Sequence, residues 1–144
     1  LKIIGDLSVF TPEIQRLAND AEKQLANNNG LNLVIAANYG GQWDIAESAK
    51  KIAIKSVNGE IDPEKIDASL FHAHSSLADF PKVDLLIRTS GEVRISNFLL
   101  WEIAYSELYF CNTLWPDFDE HELDAAIESF HLRERRFGKR NGEK

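Results

Sequence analysis

Residues 84–118 have the sequence DLLIRTSGEVRISNFLLWEIAYSELYFCNTLWPDF, in which apolar segments flank a polar turn. The apolar run over residues 83–87 ends in Arg88 and a Thr-Ser-Gly turn, a pattern typical of a buried parallel strand. Residues 98–104 are apolar on nearly every face, which predicts a buried helix. A second short strand is predicted near residues 107–110. The stretch therefore predicts a strand, a polar loop, a buried helix and another strand.

Four polar side chains in this stretch are of the types that bind an anion together with a metal. Arg88 is predicted at the carboxyl end of its strand, where open α/β sheets place ligands, and the planar guanidinium of Arg94 suits a phosphate. Ser96 is predicted to be the N-cap of the buried helix, beside the bound anion. Glu107 offers a hard oxygen ligand of the kind that Mg²⁺ takes. The alternative is structural ion pairing, of Arg88 with Glu92 or of Arg94 with Glu107.

The first part of the sequence predicts a strand–helix–strand unit. Residues 1–4 and 31–37 are short apolar runs with the character of parallel strands. The helix between them is predicted to begin with Thr11 as N-cap and Pro12 as its first residue. Two strands joined by one helix of this length are typical of a parallel βαβ unit.

The second predicted strand leads into an Asn-Tyr-Gly-Gly turn at residues 38–41. In a parallel sheet this turn lies at the same edge as Arg88, and its glycines could let a substrate approach the main chain closely. The alternative is an ordinary strand-to-helix turn. Asp44 with Glu47 predicts a capping box for the next helix, and Asp119 predicts the start of the last one.

Composition narrows the class of protein. A chain of 144 residues is long enough for one globular domain, and a net charge of −7 disfavours nucleic acid as a partner. The single cysteine cannot form an internal disulfide, and no apolar run has the length of a membrane span. We therefore expect a cytoplasmic protein.

Several motifs are spread along the whole chain. The longest, which begins at Arg88, is RTSGE-x-R-x-SNFL-x-W-x-x-x-Y-x-E, followed by LWPDF. Shorter ones are IIGD at residues 3–6, AANYGG at residues 36–41 and RERRFG at residues 133–138. Together these motifs resemble the cis-prenyltransferase family, most closely its bacterial undecaprenyl diphosphate synthases.

The resemblance implies a fold and the main part of a binding site. The fold is α/β, with a mostly parallel sheet and helices on both of its faces. Arg88, Arg94 and Ser96, with the Ile95 backbone between the last two, are implied to hold the diphosphate of isopentenyl diphosphate. Arg88, Arg94 and Ser96 are also singled out by spacing alone, whereas Ile95 is implied by the resemblance only.

The resemblance also implies contributions from the end of the chain and from a metal. Arg136 and Gly138 match the family's C-terminal Arg-x-Gly, which reaches the isopentenyl diphosphate site of the neighbouring subunit. The alternative is a solvated helix end, whose cations are favoured by the helix dipole. Glu107 matches a carboxylate that binds Mg²⁺. Val93 stands where some members have a metal-associated histidine, and its side chain offers no atom that binds a metal.

One family motif has no counterpart in this sequence. The family opens with a segment of the type His-x-x-x-x-Met-Asp-Gly-Asn-Gly-Arg-Trp-Ala, whose Asp is the main magnesium and catalytic carboxylate, whereas this chain begins at Leu1 and contains no Met. We therefore expect residues 1–144 to be a single domain that forms the C-terminal part of an N-terminally truncated catalytic domain. The chain by itself is expected to contain no catalytic residue and to be inactive.

The implied function is that of a transferase. It condenses isopentenyl diphosphate onto an allylic diphosphate such as farnesyl diphosphate, with cis double bonds. The expected product is undecaprenyl diphosphate, for the lipid carrier of peptidoglycan synthesis. Mg²⁺, a homodimer and peripheral contact with the membrane lipid product are further implications. The alternative is a non-catalytic subunit that lends its C-terminal tail and dimer face to a complete partner.

Overall fold

The computed structural model describes residues 1–133. Arg136 and Gly138, which the resemblance implicates in substrate binding, lie outside the described residues. The chain divides into two compact units, of which the first is Leu1–Pro81 and the second begins at Lys82. Each unit contains one pair of parallel strands, so each is described in turn.

The first unit is built on a strand–helix–strand arrangement. Strand β1 (Lys2–Ile4) pairs in parallel with strand β2 (Val34–Ala36), and helix α1 (Pro12–Leu25) lies between them in sequence. The Thr11 hydroxyl accepts a hydrogen bond from the Ile14 N–H at 3.4 Å, as the N-cap prediction requires. The predicted βαβ unit is therefore confirmed.

Helix α2 (Gly41–Val57) follows β2 directly, and the short helix α3 (Ala68–His72) completes the first unit. Gly40 is the N-cap of α2 and makes no side-chain capping bond. The prediction of a capping box at Asp44 and Glu47 is therefore wrong, because the N-cap lies four residues earlier, at Gly40, and Asp44 is buried in the first turn of the helix. Residues 37–40 connect β2 to α2, and the approach of a substrate to this turn stays a prediction.

The second unit repeats the parallel pairing. Strand β3 (Leu85–Arg88) pairs with strand β4 (Glu107–Phe110), so that Leu85 lies opposite Glu107 and Arg88 opposite Phe110. Helix α4 (Glu120–His131) follows a 3₁₀ turn. Its N-cap is Asp119, whose carboxylate accepts the Glu122 N–H at 3.1 Å, as the sequence predicts.

The predicted buried helix at residues 98–104 is wrong. The segment between β3 and β4 consists of consecutive turns, and only isolated main-chain bonds such as Ile103 N–H to Leu99 O, at 3.0 Å, have helical spacing. Ser96 and Leu99 have φ values of +51° and +45°, in the left-handed region that interrupts a right-handed helix. Trp101, which the helix prediction placed in the core, is 38% exposed.

The fold class is α/β, and the four strands lie where the sequence predicts them. Both strand pairings in the part of the chain that the structure describes are parallel. The buried apolar side chains pack within each unit: Ile4, Ile52 and Leu77 in the first, and Leu86, Ile103 and Ala126 in the second. Among residues 1–133, no helix combines the length and the apolar character that crossing a bilayer requires.

Candidate functional site

The polar loop after β3 is organised by the side chain of Arg88. Its Nη1 atom donates to the Arg94 carbonyl oxygen at 2.6 Å and to the Ser96 hydroxyl at 2.7 Å. Arg88 is half-buried at the carboxyl end of its strand, which is the edge where parallel sheets bind ligands. The structure thus brings together three residues that the sequence singled out, on one loop.

Ser96 has a different role from the predicted one. No helix begins at Ser96, and its φ of +51° is incompatible with the extended conformation of an N-cap. The N-cap prediction is therefore wrong. The Ser96 hydroxyl instead accepts from Arg88, so its own proton can be directed to another acceptor.

The Arg94 guanidinium lies on the outside of this loop and forms an ion pair with Glu92. The Arg94 side chain is 61% exposed, and an exposed pair of this kind contributes only about 0–1 kcal/mol. Within residues 1–133, neither of the two ion pairs considered from the sequence, Arg88–Glu92 or Arg94–Glu107, is formed. An incoming anion could therefore compete with Glu92 for Arg94 at little cost.

Ile95 and Val93 complete the sequence-predicted positions of this loop. Ile95 is exposed, and its main chain links the Arg94 carbonyl oxygen to Ser96, the two acceptors of Arg88. Val93 is 74% exposed and has no metal-binding atom in its side chain. The main chain of Ile95 thus lies between the two groups that Arg88 binds.

Glu107 lies at the opposite end of the β3–β4 pair from Arg88 and the loop after β3. It lies opposite Leu85, three residues before the position opposite Arg88, which corresponds to roughly 10 Å along the strand. Its Oε2 atom is 3.1 Å from Nη1 of Arg133, just beyond α4. This ion pair was not anticipated from the sequence.

The donor set around Glu107 suits Mg²⁺ only in a limited way. No group of three or more His, Cys, Asp or Glu side chains that could hold a metal occurs in the part of the chain that the structure describes. Magnesium commonly binds one or two carboxylates and completes its shell with water and phosphate. Glu107 therefore fits as a single protein ligand, and it would have to leave Arg133 to act as one.

The loop after β3 is fixed to the loop after β4 by main-chain hydrogen bonds. Cys111 N–H donates to the Arg88 carbonyl at 3.0 Å, and Gly91 N–H donates to the Cys111 carbonyl at 2.9 Å. Ser90 N–H donates to the Thr113 carbonyl at 2.9 Å. Sequence patterns gave no sign of these partners, because their contribution comes from the backbone and not from side-chain type.

The strand ends of the first unit carry a second group of polar residues. The Asp6 carboxylate accepts from the Ser8 hydroxyl at 2.6 Å and from the Ser8 N–H at 3.0 Å, which together hold the pKa of Asp6 below its usual value. The Asn38 amide donates to the Asp6 carbonyl at 3.0 Å. These contacts join the ends of β1 and β2.

Asp44 is the most buried acid of this second group. Its Oδ2 atom accepts from the Tyr39 hydroxyl at 2.8 Å, and Oδ1 accepts from the Ser76 N–H and hydroxyl at 3.1 and 2.8 Å. A buried carboxylate needs such donors to offset its lost hydration. Asp44 thereby ties the start of α2 to the segment after α3, a role that sequence analysis missed.

Comparison with known proteins places this arrangement in context. A family model described as "Putative undecaprenyl diphosphate synthase" matches residues 1–138. The chain is 54% identical over 138 residues to the "Ditrans,polycis-undecaprenyl-diphosphate synthase ((2E,6E)-farnesyl-diphosphate specific)" of Vibrio parahaemolyticus, and 50% identical over 138 residues to its namesake in Escherichia coli. These alignments cover 96% of this chain but 55% and 54% of the two relatives. The chain thus spans about half the length of the curated relatives it matches.

Solved structures give the same result for the fold. A crystal structure of lavandulyl diphosphate synthase from Lavandula x intermedia, in complex with dimethylallyl diphosphate, matches with a TM-score of 0.92 and 41% identity. The match covers 96% of this chain and 59% of that one. A probable undecaprenyl diphosphate synthase from Campylobacter jejuni matches with a TM-score of 0.80 and 30% identity, over 95% of this chain and 62% of that one.

Proposed function

The chain belongs to the undecaprenyl diphosphate synthase family of prenyltransferases, and we propose that the loop after β3 binds the diphosphate of isopentenyl diphosphate. The observation that supports this most directly is the pair of bonds from Arg88 to the Arg94 carbonyl and the Ser96 hydroxyl. They hold the Arg88 guanidinium and the Ser96 hydroxyl together at a strand end, on the loop that also carries the exposed guanidinium of Arg94. That set of donors matches the oxygens of a diphosphate.

Each residue of the loop has a distinct part in the proposed binding. Arg94 supplies a planar pair of donors once it leaves Glu92, and Ser96 supplies its hydroxyl proton. Arg88 both shapes the loop and adds positive charge beneath it. Holding the acceptor in one orientation removes much of the entropic barrier to the attack of its double bond on an allylic carbon.

The reaction of the whole enzyme is proposed to be cis-prenyl chain elongation. In this reaction isopentenyl diphosphate is condensed onto an allylic diphosphate, farnesyl diphosphate, to give undecaprenyl diphosphate. The names of the Vibrio and Escherichia relatives describe those proteins as undecaprenyl diphosphate synthases specific for farnesyl diphosphate. When bound, Mg²⁺ would neutralise diphosphate charge, with Glu107 as a ligand. The charge of the allylic diphosphate would be met by parts of the enzyme that correspond to the other half of these relatives.

A homodimer is proposed as the working form, in the cytoplasm and in peripheral contact with the membrane lipid product. Its support in the structure is the exposure of several large apolar side chains within residues 93–105, of which Val93 is 74% and Tyr105 70% exposed. Arg136 and Gly138 would reach the neighbouring subunit's site. Sedimentation of the complete enzyme at micromolar concentration tests this proposal, and a strict monomer would contradict it.

The loop assignment is tested by calorimetric titration of this chain with isopentenyl diphosphate. We expect Arg94→Ala to weaken binding by about 10-fold to 100-fold, because a hydrogen bond to a charged group is worth roughly 1.5–3 kcal/mol. In the complete enzyme the same change should mainly raise KM for isopentenyl diphosphate. Arg16→Ala is the control, since Arg16 also forms an exposed ion pair, with Asp20 on α1. Unchanged binding by Arg94→Ala would remove Arg94 from the site.

A further inference from the structure

Thr113, whose carbonyl accepts the Ser90 N–H, is itself held by a side chain of helix α4. The Thr113 hydroxyl donates to Oε1 of Glu122 at 2.8 Å, and both residues are half-buried. Glu122 lies in the first turn of α4, where its N–H is capped by Asp119. The position of Thr113 is therefore tied to the start of a helix.

This tie continues into the candidate diphosphate loop. The Thr113 carbonyl accepts the N–H of Ser90, which has a φ of +69°, in the left-handed region. A serine in that conformation is unfavourable and persists only where surrounding contacts hold it. Ser90 is two residues beyond Arg88, so the contacts that fix its turn also fix the direction in which the loop leaves the strand.

We propose that Thr113 and Glu122 are positioning residues for diphosphate binding. Glu122 holds the Thr113 hydroxyl, Thr113 holds the Ser90 N–H through its carbonyl, and the Ser90 turn sets the loop on which Arg88 binds Arg94 and Ser96. The inference rests on the proposed function of that loop. Neither residue needs to touch the ligand, because both act through the loop.

If Glu122 had a purely structural role, the effect of its loss would be different, and a second residue at the start of α4 allows this to be tested. If Glu122 only stabilised the start of α4, its loss would resemble the loss of the N-cap, Asp119. Asp119 caps α4 through the Glu122 N–H and is not the partner of the Thr113 hydroxyl. Asp119→Ala is therefore a matched control, which lowers helix stability and removes neither partner of the Thr113–Glu122 bond.

The experiment compares Thr113→Val, Thr113→Ser and Asp119→Ala in this chain. Valine keeps the shape of threonine without the hydroxyl, whereas serine keeps the hydroxyl. Each variant is titrated with inorganic diphosphate, well below its melting temperature. We expect Thr113→Val to weaken binding about threefold to tenfold, the worth of one hydrogen bond, and Thr113→Ser to stay within about twofold of wild type. Asp119→Ala should lower the melting temperature and keep the wild-type Kd.

Amide hydrogen exchange at Ser90 gives a second measurement that needs no ligand. Thr113→Val should speed exchange of this one N–H, and Asp119→Ala should not. If Thr113→Val does not fold, Glu122→Ala takes its place, and Glu122→Gln, which keeps a carbonyl acceptor, should restore both measurements.

The possible outcomes separate this inference from the proposed function. Wild-type affinity and unchanged Ser90 exchange in Thr113→Val would overturn the positioning role and leave the diphosphate loop standing. Equal weakening of binding in Thr113→Val and Asp119→Ala would show that Thr113 affects binding only through the stability of the fold, and would also overturn the positioning role. Failure of the wild-type chain to bind either diphosphate would instead overturn the proposed function, and Ser90 exchange would still show whether Thr113 orders the turn.

Discussion

The two parallel strand pairs have the same topology and opposite polar chemistry at their carboxyl ends. After β1 and β2 come Asp6 and Asn38, whose polar groups bond to Ser8 and to each other. After β3 comes Arg88, whose guanidinium organises a loop that carries a second, exposed arginine. The first pair ends in one carboxylate and one amide that already have hydrogen-bond partners, and the second is followed by two arginines.

This difference indicates that strand topology alone does not create an anion site. In each unit, parallel pairing brings the carboxyl ends of its two strands to the same edge of that strand pair. A diphosphate would be repelled by the Asp6 carboxylate after β1, whereas it would be attracted by Arg88 and Arg94 in the second unit. The polar contacts of the first unit therefore serve to hold the strand ends together. Substitutions at Gly5, Gly91 and Asp6 test how firmly each of these strand ends is held.

Gly5→Ala should have the largest effect, on the stability of the first unit. Gly5 has a φ of +114°, and a Cβ at this position would overlap the Ala37 carbonyl oxygen, which is main chain and cannot rotate away. Overpacking and left-handed strain together are expected to cost roughly 2–4 kcal/mol of unfolding free energy. Urea unfolding followed by circular dichroism measures this loss.

Gly30→Ala is the matched control for this substitution. No atom lies within 4 Å of the Cβ that alanine would add there, and the φ of Gly30 is not positive. It should be neutral or stabilise by up to about 1 kcal/mol. Equal losses in Gly5→Ala and Gly30→Ala would show that the end of β1 is not closely packed.

Gly91→Ala should have an intermediate effect, on the second unit. Its φ of +70° makes alanine unfavourable by about 1–2 kcal/mol, but the nearest atom to the added Cβ, at 3.2 Å, is Oδ1 of Asn112, a side chain that can turn aside. Asn112→Ala in the same chain should recover only a small part of the loss. A loss of unfolding free energy as large as that of Gly5→Ala would show that the Asn112 side chain cannot turn aside, so that both strand ends are equally closely packed.

The smallest effect concerns pH and Asp6. Hydrogen bonds from Ser8 lower the pKa of Asp6 in the folded state, so the carboxylate contributes stability at neutral pH that is lost as the pH falls below its ordinary value of 3.8. Wild type should be slightly more stable than Asp6→Asn at pH 7, and the difference should fade in acid. In a Ser8→Ala background this pH dependence should shrink. A difference that grew in acid would contradict the assignment.

The sequence predicted the parallel strands well, and for a clear physical reason. Each strand is a short apolar run closed by a turn, and burial of such runs is a local property that periodicity records. Thr11 and Asp119 were identified as N-caps because capping also depends on neighbouring residues. The family motifs added the grouping of Arg88, Arg94 and Ser96.

The features that the sequence did not predict correctly depend on contacts between residues distant in sequence, which local patterns do not indicate. Residues 98–104 have helical composition, yet the left-handed backbone at Ser96 and Leu99 prevents the helix, and Arg88 helps to hold Ser96 there. Asp44 resembled a helix cap but is buried by partners distant in sequence, such as Ser76. Glu107 was expected near the arginines, and the register that separates them is a tertiary property.

The main chain of Cys111 has a consequence for how this sequence can diverge. Its N–H and its carbonyl bind the two ends of the segment from Arg88 to Gly91, and its thiol takes no part in either bond. Cys111 can therefore be replaced by other residues of similar size without loss of these two hydrogen bonds, because both are made by the main chain. Proline alone is excluded outright, because it has no N–H to give. Relatives could thus keep the loop geometry while showing little identity at the residue that maintains it.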